Sequence, residues 1–288
     1  MESTSAGEFP PLVSAAWLAS RLGQADIVVV DATWYLPSVG RDADAEYRSA
    51  HVPGAVRLDW TAVSDDSTDL PHMLPPPGRF GAAMESLGIG PEHHVIVYDG
   101  TGVNLSAPRA WWMFRVFGHA AVSVLDGGFH AWAAETRPVQ VGVTRLAVTG
   151  YPVPAVDRAL VRDRSAVEQV VRGDDLAQLA DCRPAARFRG EAPEPREGLR
   201  MGHIDGSLNM PFTDFTDERT HRFLDASALR AAFAERGLDP TRPIIASCGS
   251  GMSACTLALA VEVLRYAGDS VAAPVAIYDG SWAEYGRE

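Results

Sequence analysis

Apolar and polar residues are grouped along this chain in two alternating textures. Short, largely β-branched runs at 27–30, 95–98 and 122–125 are almost free of polar residues. Such runs suit strands buried on both faces, as in a parallel sheet covered on each side. Between them lie longer apolar stretches, 106–117 and 253–266, with the length of helices. Ser14 and Ser165 stand where helix N-caps belong, ahead of two of the strand runs. Strand and helix in alternation predict an α/β fold, a central parallel sheet flanked by helices.

The alternation occurs twice, at an offset of about 150 residues. Asp31 and Asp181 each end an apolar run, and His51-Val52-Pro53-Gly54-Ala55 is answered by His203-Ile204-Asp205-Gly206-Ser207. Pro91 precedes Asp99 as Pro240 precedes Cys248. Asp126-Gly127-Gly128 is answered by Asp279-Gly280-Ser281, each with a tryptophan soon after, Trp132 and Trp282. The repeat divides the chain into a first domain over 1–137, an aperiodic Val/Pro/Thr-rich linker over 138–155 and a second domain over 156–288.

Composition removes several function classes. All 25 basic residues are arginine, and enzymes that use a central lysine (Schiff-base, pyridoxal phosphate, P-loop and kinase types) fall away. A net charge of −12 speaks against nucleic acid or an anionic membrane as partner. No apolar run is long enough to span a bilayer, and the first twenty residues lack the pattern of a targeting peptide, so a cytoplasmic location is expected. Three cysteines, Cys182, Cys248 and Cys255, then read as reduced thiols rather than a disulfide framework. Their spacing matches no zinc site, and no metal or cofactor is called for.

Cys248 is the candidate nucleophile. It ends the apolar run 243–247 and opens Cys-Gly-Ser-Gly-Met-Ser-Ala (248–254), immediately before a helix. Ligands of open parallel sheets sit beyond the carboxyl ends of the strands. Gly249 and Gly251 let backbone N–H groups turn towards one point, and the helix N-terminus adds partial positive charge. Such a loop favours a thiolate or a persulfide anion. Cys255 on a helix and Cys182 after a buried strand read as inert core residues. A cysteine phosphatase would carry an arginine six residues after its nucleophile, where this chain has Ala254.

The two halves resemble tandem rhodanese domains along nearly the whole chain. The loop at 248–254 resembles Cys-Gly-Ser-Gly-Val-Thr-Ala of 3-mercaptopyruvate sulfurtransferases, with Met252-Ser253 in place of Val-Thr; thiosulfate sulfurtransferases carry Cys-Arg-Lys-Gly there. Pro193-Glu194-Pro195-Arg196, Gly202-His203-Ile204, Tyr278-Asp279-Gly280-Ser281-Trp282, His72-Met73-Leu74-Pro75 and Ala107-Pro108-Arg109-Ala110-Trp111-Trp112 agree with it.

The resemblance implies sulfane sulfur carried on Cys248, from 3-mercaptopyruvate to a thiol acceptor such as thioredoxin, or to cyanide. It implies Arg187 and Arg196 as carboxylate and ketone clamps and Gly249, Gly251, Met252 and Ser253 as the loop that meets substrate. It also implies a proton relay of Ser250, His72 and Asp59, although the 59–72 segment carries an insertion relative to the family. Asp99 occupies the first-domain position equivalent to Cys248, and a carboxylate cannot hold sulfane sulfur. That domain is expected to be catalytically silent. Arg183 is expected in an internal ion pair. Thiosulfate is the alternative donor; a non-catalytic rhodanese-like interaction module is the reading from a different class.

Overall fold

The computed structural model describes residues 9–287. In the first half, strands β1 (Leu12–Val13), β2 (Ile27–Asp31), β3 (Val56–Arg57), β4 (His94–Tyr98) and β5 (Val122–Leu125) alternate with helices α1 (Ala15–Ala19), α2 (Ala43–Ser49), α3 (Pro77–Ser86), α4 (Ala107–Val116) and α5 (Gly128–Ala134). The second half repeats the plan. Its strands are β6 (Val161–Arg162), β7 (Gln178–Asp181), β8 (Leu208–Asn209), β9 (Ile244–Ser247) and β10 (Ala276–Tyr278). Its helices are α6 (Arg164–Arg172), α7 (Ala185–Phe188), α8 (Ala226–Arg236), α9 (Ala254–Tyr266) and α10 (Ser281–Tyr285).

Each half forms a five-stranded sheet, ordered β1-β5-β4-β2-β3 and β6-β10-β9-β7-β8. Every pairing is parallel, so both sheets are wound by crossover helices. The apolar runs at 27–30, 95–98 and 122–125 fall in β2, β4 and β5, and their side chains are almost wholly buried. Ser14 caps α1 as its position predicts, accepting from Trp17 N at 3.0 Å. The cap before β7 differs. α6 starts at Arg164, and Asp163 caps it through Ala166 N at 2.9 Å, leaving Ser165 inside the helix. Either side chain can cap; the carboxylate two residues earlier wins because the chain enters the helix directly from β6.

Helices α4 and α9 pack against each other across the middle of the molecule. One continuous apolar core runs through that contact, joining Val97, Trp112 and Phe114 of the first half to Ala246, Leu257 and Leu259 of the second. A boundary of this kind behaves as domain interior rather than as a hinge. Residues 138–155 run along the first half: Gln140 bridges to His51, and Leu146 and Ala147 cover Gly88. No helix among the described residues is long and apolar enough to cross a membrane.

Candidate functional site

Strand β9 is buried along its length and delivers Cys248 to the carboxyl edge of the second sheet, 1% exposed. The loop that follows is fixed by backbone as well as side chains. Gly251 adopts φ +71°, and a Cβ there would stand 2.9 Å from the Asp279 carbonyl, so the position is closed to other residues. Ser281, at the start of α10, accepts from the N–H of Cys248 at 3.2 Å and of Gly251 at 3.0 Å and donates to Tyr278 O at 2.8 Å. The carbonyls of Cys248 and Gly249 accept from Trp282 and Ala283. Two loop amides are thereby committed to Ser281. Cys255 N and Thr256 N at the start of α9 are bonded to the carbonyls of Met252 and Ser253, whereas the N–H groups of Gly249, Ser250 and Met252 make no hydrogen bond among the described residues.

Two guanidinium groups stand over the loop. A Cβ on Gly249 would lie 3.1 Å from Arg187 Nη2 and 4.0 Å from Arg196 Nη1, so an arginine at 249 would collide with Arg187. Arg187 rides on the short helix α7, where His203 stacks on Phe188 and bonds its carbonyl at 2.8 Å. Buried Glu194 holds Arg187 through Nε and Nη2. Arg183 takes the internal role expected of it, paired with Asp181 at 2.6 Å and Glu194 at 2.7 Å. Arg196 has no ion pair or hydrogen bond among the described residues. Burial pulls its ionisation below the usual arginine range, opposed by the neighbouring Cys248. A half-buried cation left unpaired beside a nucleophile marks a place for an anion.

The first domain forms the facing wall. His72 has φ 62° and meets the edge of Trp34 at 4.6 Å between ring centroids. Burial, with Arg109 and Arg196 adding to it, pushes the imidazole down to about 3, so it is neutral at working pH. Ser250 is buried in the loop. No hydrogen bond links His72 to Ser250, and Asp59 joins neither. Its carboxylate accepts from the N–H and hydroxyl of Thr61, at 2.8 and 2.7 Å, and no hydrogen bond links it to His72. A turn residue with a hydroxyl two positions on satisfies itself locally. Met252 and Ser253 are buried under the loop and lead into α9. Cys182 and Cys255 are fully buried, and burial pushes both thiols up; Cys255 Sγ donates to Gly251 O at 3.3 Å.

Arg109, Asp279, Ser281 and Glu194 lie in motifs visible in the sequence, but nothing local assigns these four residues a part in the site. A charge or hydroxyl beside a glycine or proline was the available signal, but the partners that matter for Arg109, Asp279 and Ser281 lie far away in the chain.

Two parallel sheets sharing one core, with a cradled cysteine at the edge of the second, define a two-domain α/β protein built for thiol chemistry. Both halves match the rhodanese-like domain model, over residues 14–135 and 165–288, and the chain belongs to that family. It is similar to human 3-mercaptopyruvate sulfurtransferase, 39% identical over 282 residues covering 95% of this chain and 91% of that protein. The Escherichia coli K12 protein of the same name is 40% identical, with 95% and 94% covered. Mouse thiosulfate sulfurtransferase is 41% identical, with 96% and 92% covered. The crystal structure of SseA from Escherichia coli superposes with a TM-score of 0.84 at 38% identity, covering 96% of this chain and all of that one. The protein is a sulfurtransferase.

Proposed function

We propose that this enzyme takes sulfur from 3-mercaptopyruvate, carries it as a persulfide on Cys248 and passes it to a thiol such as thioredoxin, or to cyanide, in the reducing setting of the cytoplasm. The observation that carries the donor assignment is the uncharged Gly249–Ser250 step lying under Arg187 and Arg196. Mercaptopyruvate brings one carboxylate and a ketone, which two guanidinium groups meet in planar geometry. Thiosulfate is a compact dianion that would gain most from a cation on the loop itself.

In the first half-reaction the Cys248 thiolate attacks the substrate sulfur. The S–S bond forms as the sulfur–carbon bond breaks, and the electron pair leaves on carbon as the pyruvate enolate. The substrate's thiol proton ends on that carbon, relayed by the Ser250 hydroxyl. Neutral His72 orients the hydroxyl rather than storing a proton, and Asp59 serves its own turn. Acceptor then attacks the outer sulfur and returns the Cys248 thiolate. The amides not bonded to Ser281, with Met252 and Ser253, hold the persulfide anion between the halves on the turn that Gly251 makes. The first domain supplies a wall and no sulfur chemistry.

Initial rates with mercaptopyruvate and with thiosulfate on one preparation, cyanide as acceptor, test the assignment. A kcat/KM ratio well above one in favour of mercaptopyruvate is expected. A ratio below one would transfer the assignment to thiosulfate, which the relatives include.

A further inference from the structure

The contact between the halves is reciprocal. In the first domain the segment before α3 places His72 at φ 62° and sends Leu74 N to Asp279 Oδ2 of the second domain at 2.8 Å. In the second domain the segment before α8 places His221 at φ 59° and sends Phe223 N to Asp126 Oδ1 of the first at 2.8 Å. Met73 O accepts from Asp65 N in one latch, and Arg222 O accepts from Asp217 N in the other. Each histidine carbonyl is tied down by a first-domain side chain: His72 O by Arg109 Nη2 at 2.6 Å, His221 O by Asn104 Nδ2 at 3.1 Å.

The two ties differ in chemistry. Asn104 is neutral and reaches Thr216 Oγ1 as its other partner. Arg109 is 1% exposed, lies over Trp112, pairs with Asp279 Oδ1 at 2.8 Å and reaches Gly251 O at 3.3 Å, while its Nε has no partner. A buried ion pair with an unsatisfied donor is a poor way to stabilise an interface; apolar residues of similar size commonly do as well or better. Asn104 shows that the mirror latch ties its histidine carbonyl without a charged donor. What the guanidinium does, and an amide does not, is fix two carbonyls from opposite domains at once, one behind His72 and one within the sulfur loop.

We infer that Arg109 is a positioning residue for the proton step: its fork sets His72 against the Ser250 side of the loop, with Asp279 holding the fork in place. The inference rests on the mercaptopyruvate reading above, since that donor's leaving group must take up a proton and sulfite leaving from thiosulfate need not. A positioning defect therefore separates the two donors, whereas a weakened interface slows both.

Arg109→Lys keeps the charge opposite Asp279 but has no fork to span both carbonyls. Its kcat with mercaptopyruvate should fall by about tenfold or more, within the range general acid–base steps contribute. KM should hardly move, and kcat with thiosulfate should fall much less. In a His72→Asn background the same substitution should leave the donor ratio where His72→Asn has put it. Asn104→Gly, which tolerates the φ of 50° at that position, should lower the urea midpoint without moving the ratio. Should Arg109→Lys fail to fold, Asp279→Asn is read by the same ratio. Parallel loss with both donors, no loss with either, or additive losses with His72→Asn would overturn the positioning role. An unchanged ratio in His72→Asn alone would instead remove the proton relay, and this inference with it.

Discussion

The loops after β4 and β9 occupy the same place on two sheets of the same order, yet one is closed upon itself and the other is open. After β4, the carboxylate of Asp99 accepts from Thr101 N and Oγ1 through one oxygen and from Ser106 N and Ala107 N through the other, at 2.5–2.9 Å. The first-domain cradle thus holds an anion already, supplied by its own chain. After β9, the equivalent residue is Cys248, whose side chain is too short and too weak an acceptor to satisfy such a ring of donors, so capacity remains for an anion brought from outside. The residue after the next strand follows suit. Gly128, whose Cβ would stand 2.3 Å from Asp99 O, replaces the Ser281 that braces the Cys248 loop. One scaffold therefore yields a loop closed by its own carboxylate or a loop left open at a cysteine, according to whether the loop amides are satisfied from within.

The largest effect should come from exchanging the two anions. Cys248→Ser is expected to abolish turnover and the added sulfur seen by intact mass after donor treatment, whereas Cys182→Ser and Cys255→Ser keep most activity. Asp99→Cys in the Cys248→Ser background should restore nothing, because the loop loses its internal acceptor without gaining Arg187, Arg196 or the Ser281 brace. Measurable persulfide on that variant would mean the cradle matters less than the nucleophile.

Removing either clamp should come next. Arg187→Ala or Arg196→Ala is expected to cost about 2–4 kcal/mol in kcat/KM with mercaptopyruvate, as for a buried charged contact. Arg187→Ala also leaves Glu194 with fewer partners, so its fold should be checked by urea titration first. Unchanged kinetics in both variants would remove the two arginines from substrate binding.

A smaller and purely structural effect is expected from Asp99→Asn. Its amide nitrogen cannot accept, so donors now bonded to one carboxylate oxygen lose their partner, at about 1–3 kcal/mol of stability. Turnover of the folded enzyme should stay within about twofold, since no transition-state contact is touched. A large kinetic loss would show that the first-domain loop is coupled to the sulfur site.

The mildest effect is on the pH dependence of stability. Burial holds His72 down to about 3 and His94 down to about 4, and it lowers His119 and His130 as well. These groups stay neutral in the folded protein while the unfolded chain takes up protons below about 6.5. Their contribution is complete above that pH and is lost progressively as pH falls towards the folded values. Buried Asp31 and Asp126, whose ionisation is pushed up by burial, act in the opposite sense, taking up protons in the folded protein before the unfolded chain does as pH falls. The urea midpoint should therefore fall between pH 7 and pH 5, and His94→Gln should flatten that slope. All four histidines belong to the first domain. A midpoint constant across this window would contradict their buried, neutral state.

Much of this was legible along the chain. The β-branched runs became β2, β4 and β5 because a strand buried on both faces leaves no room for polar residues, and the two-fold repeat gave two sheets of identical order. Cys248 was marked out by a strand, a Gly-x-Gly loop and a helix in immediate succession, which are local features. Asp59 shows the opposite case: resemblance placed it in a relay, while its Oδ1 is taken by its own Thr61, two residues away. Sequence by itself determined the repeat, the strand ends, the candidate nucleophile and the replacement of cysteine by Asp99, since each depends on neighbouring residues and on burial patterns of short period. Only the tertiary structure decided that Asp99 fills its own cradle and that Ser281 braces the Cys248 loop from 33 residues away. The same holds for Arg109, 142 residues from Gly251, which ties the two halves together at the site. Those contacts arise when helices α4 and α9 bury their apolar faces against each other, and the direction of a charged side chain inside such a core is set by partners that no local pattern encodes.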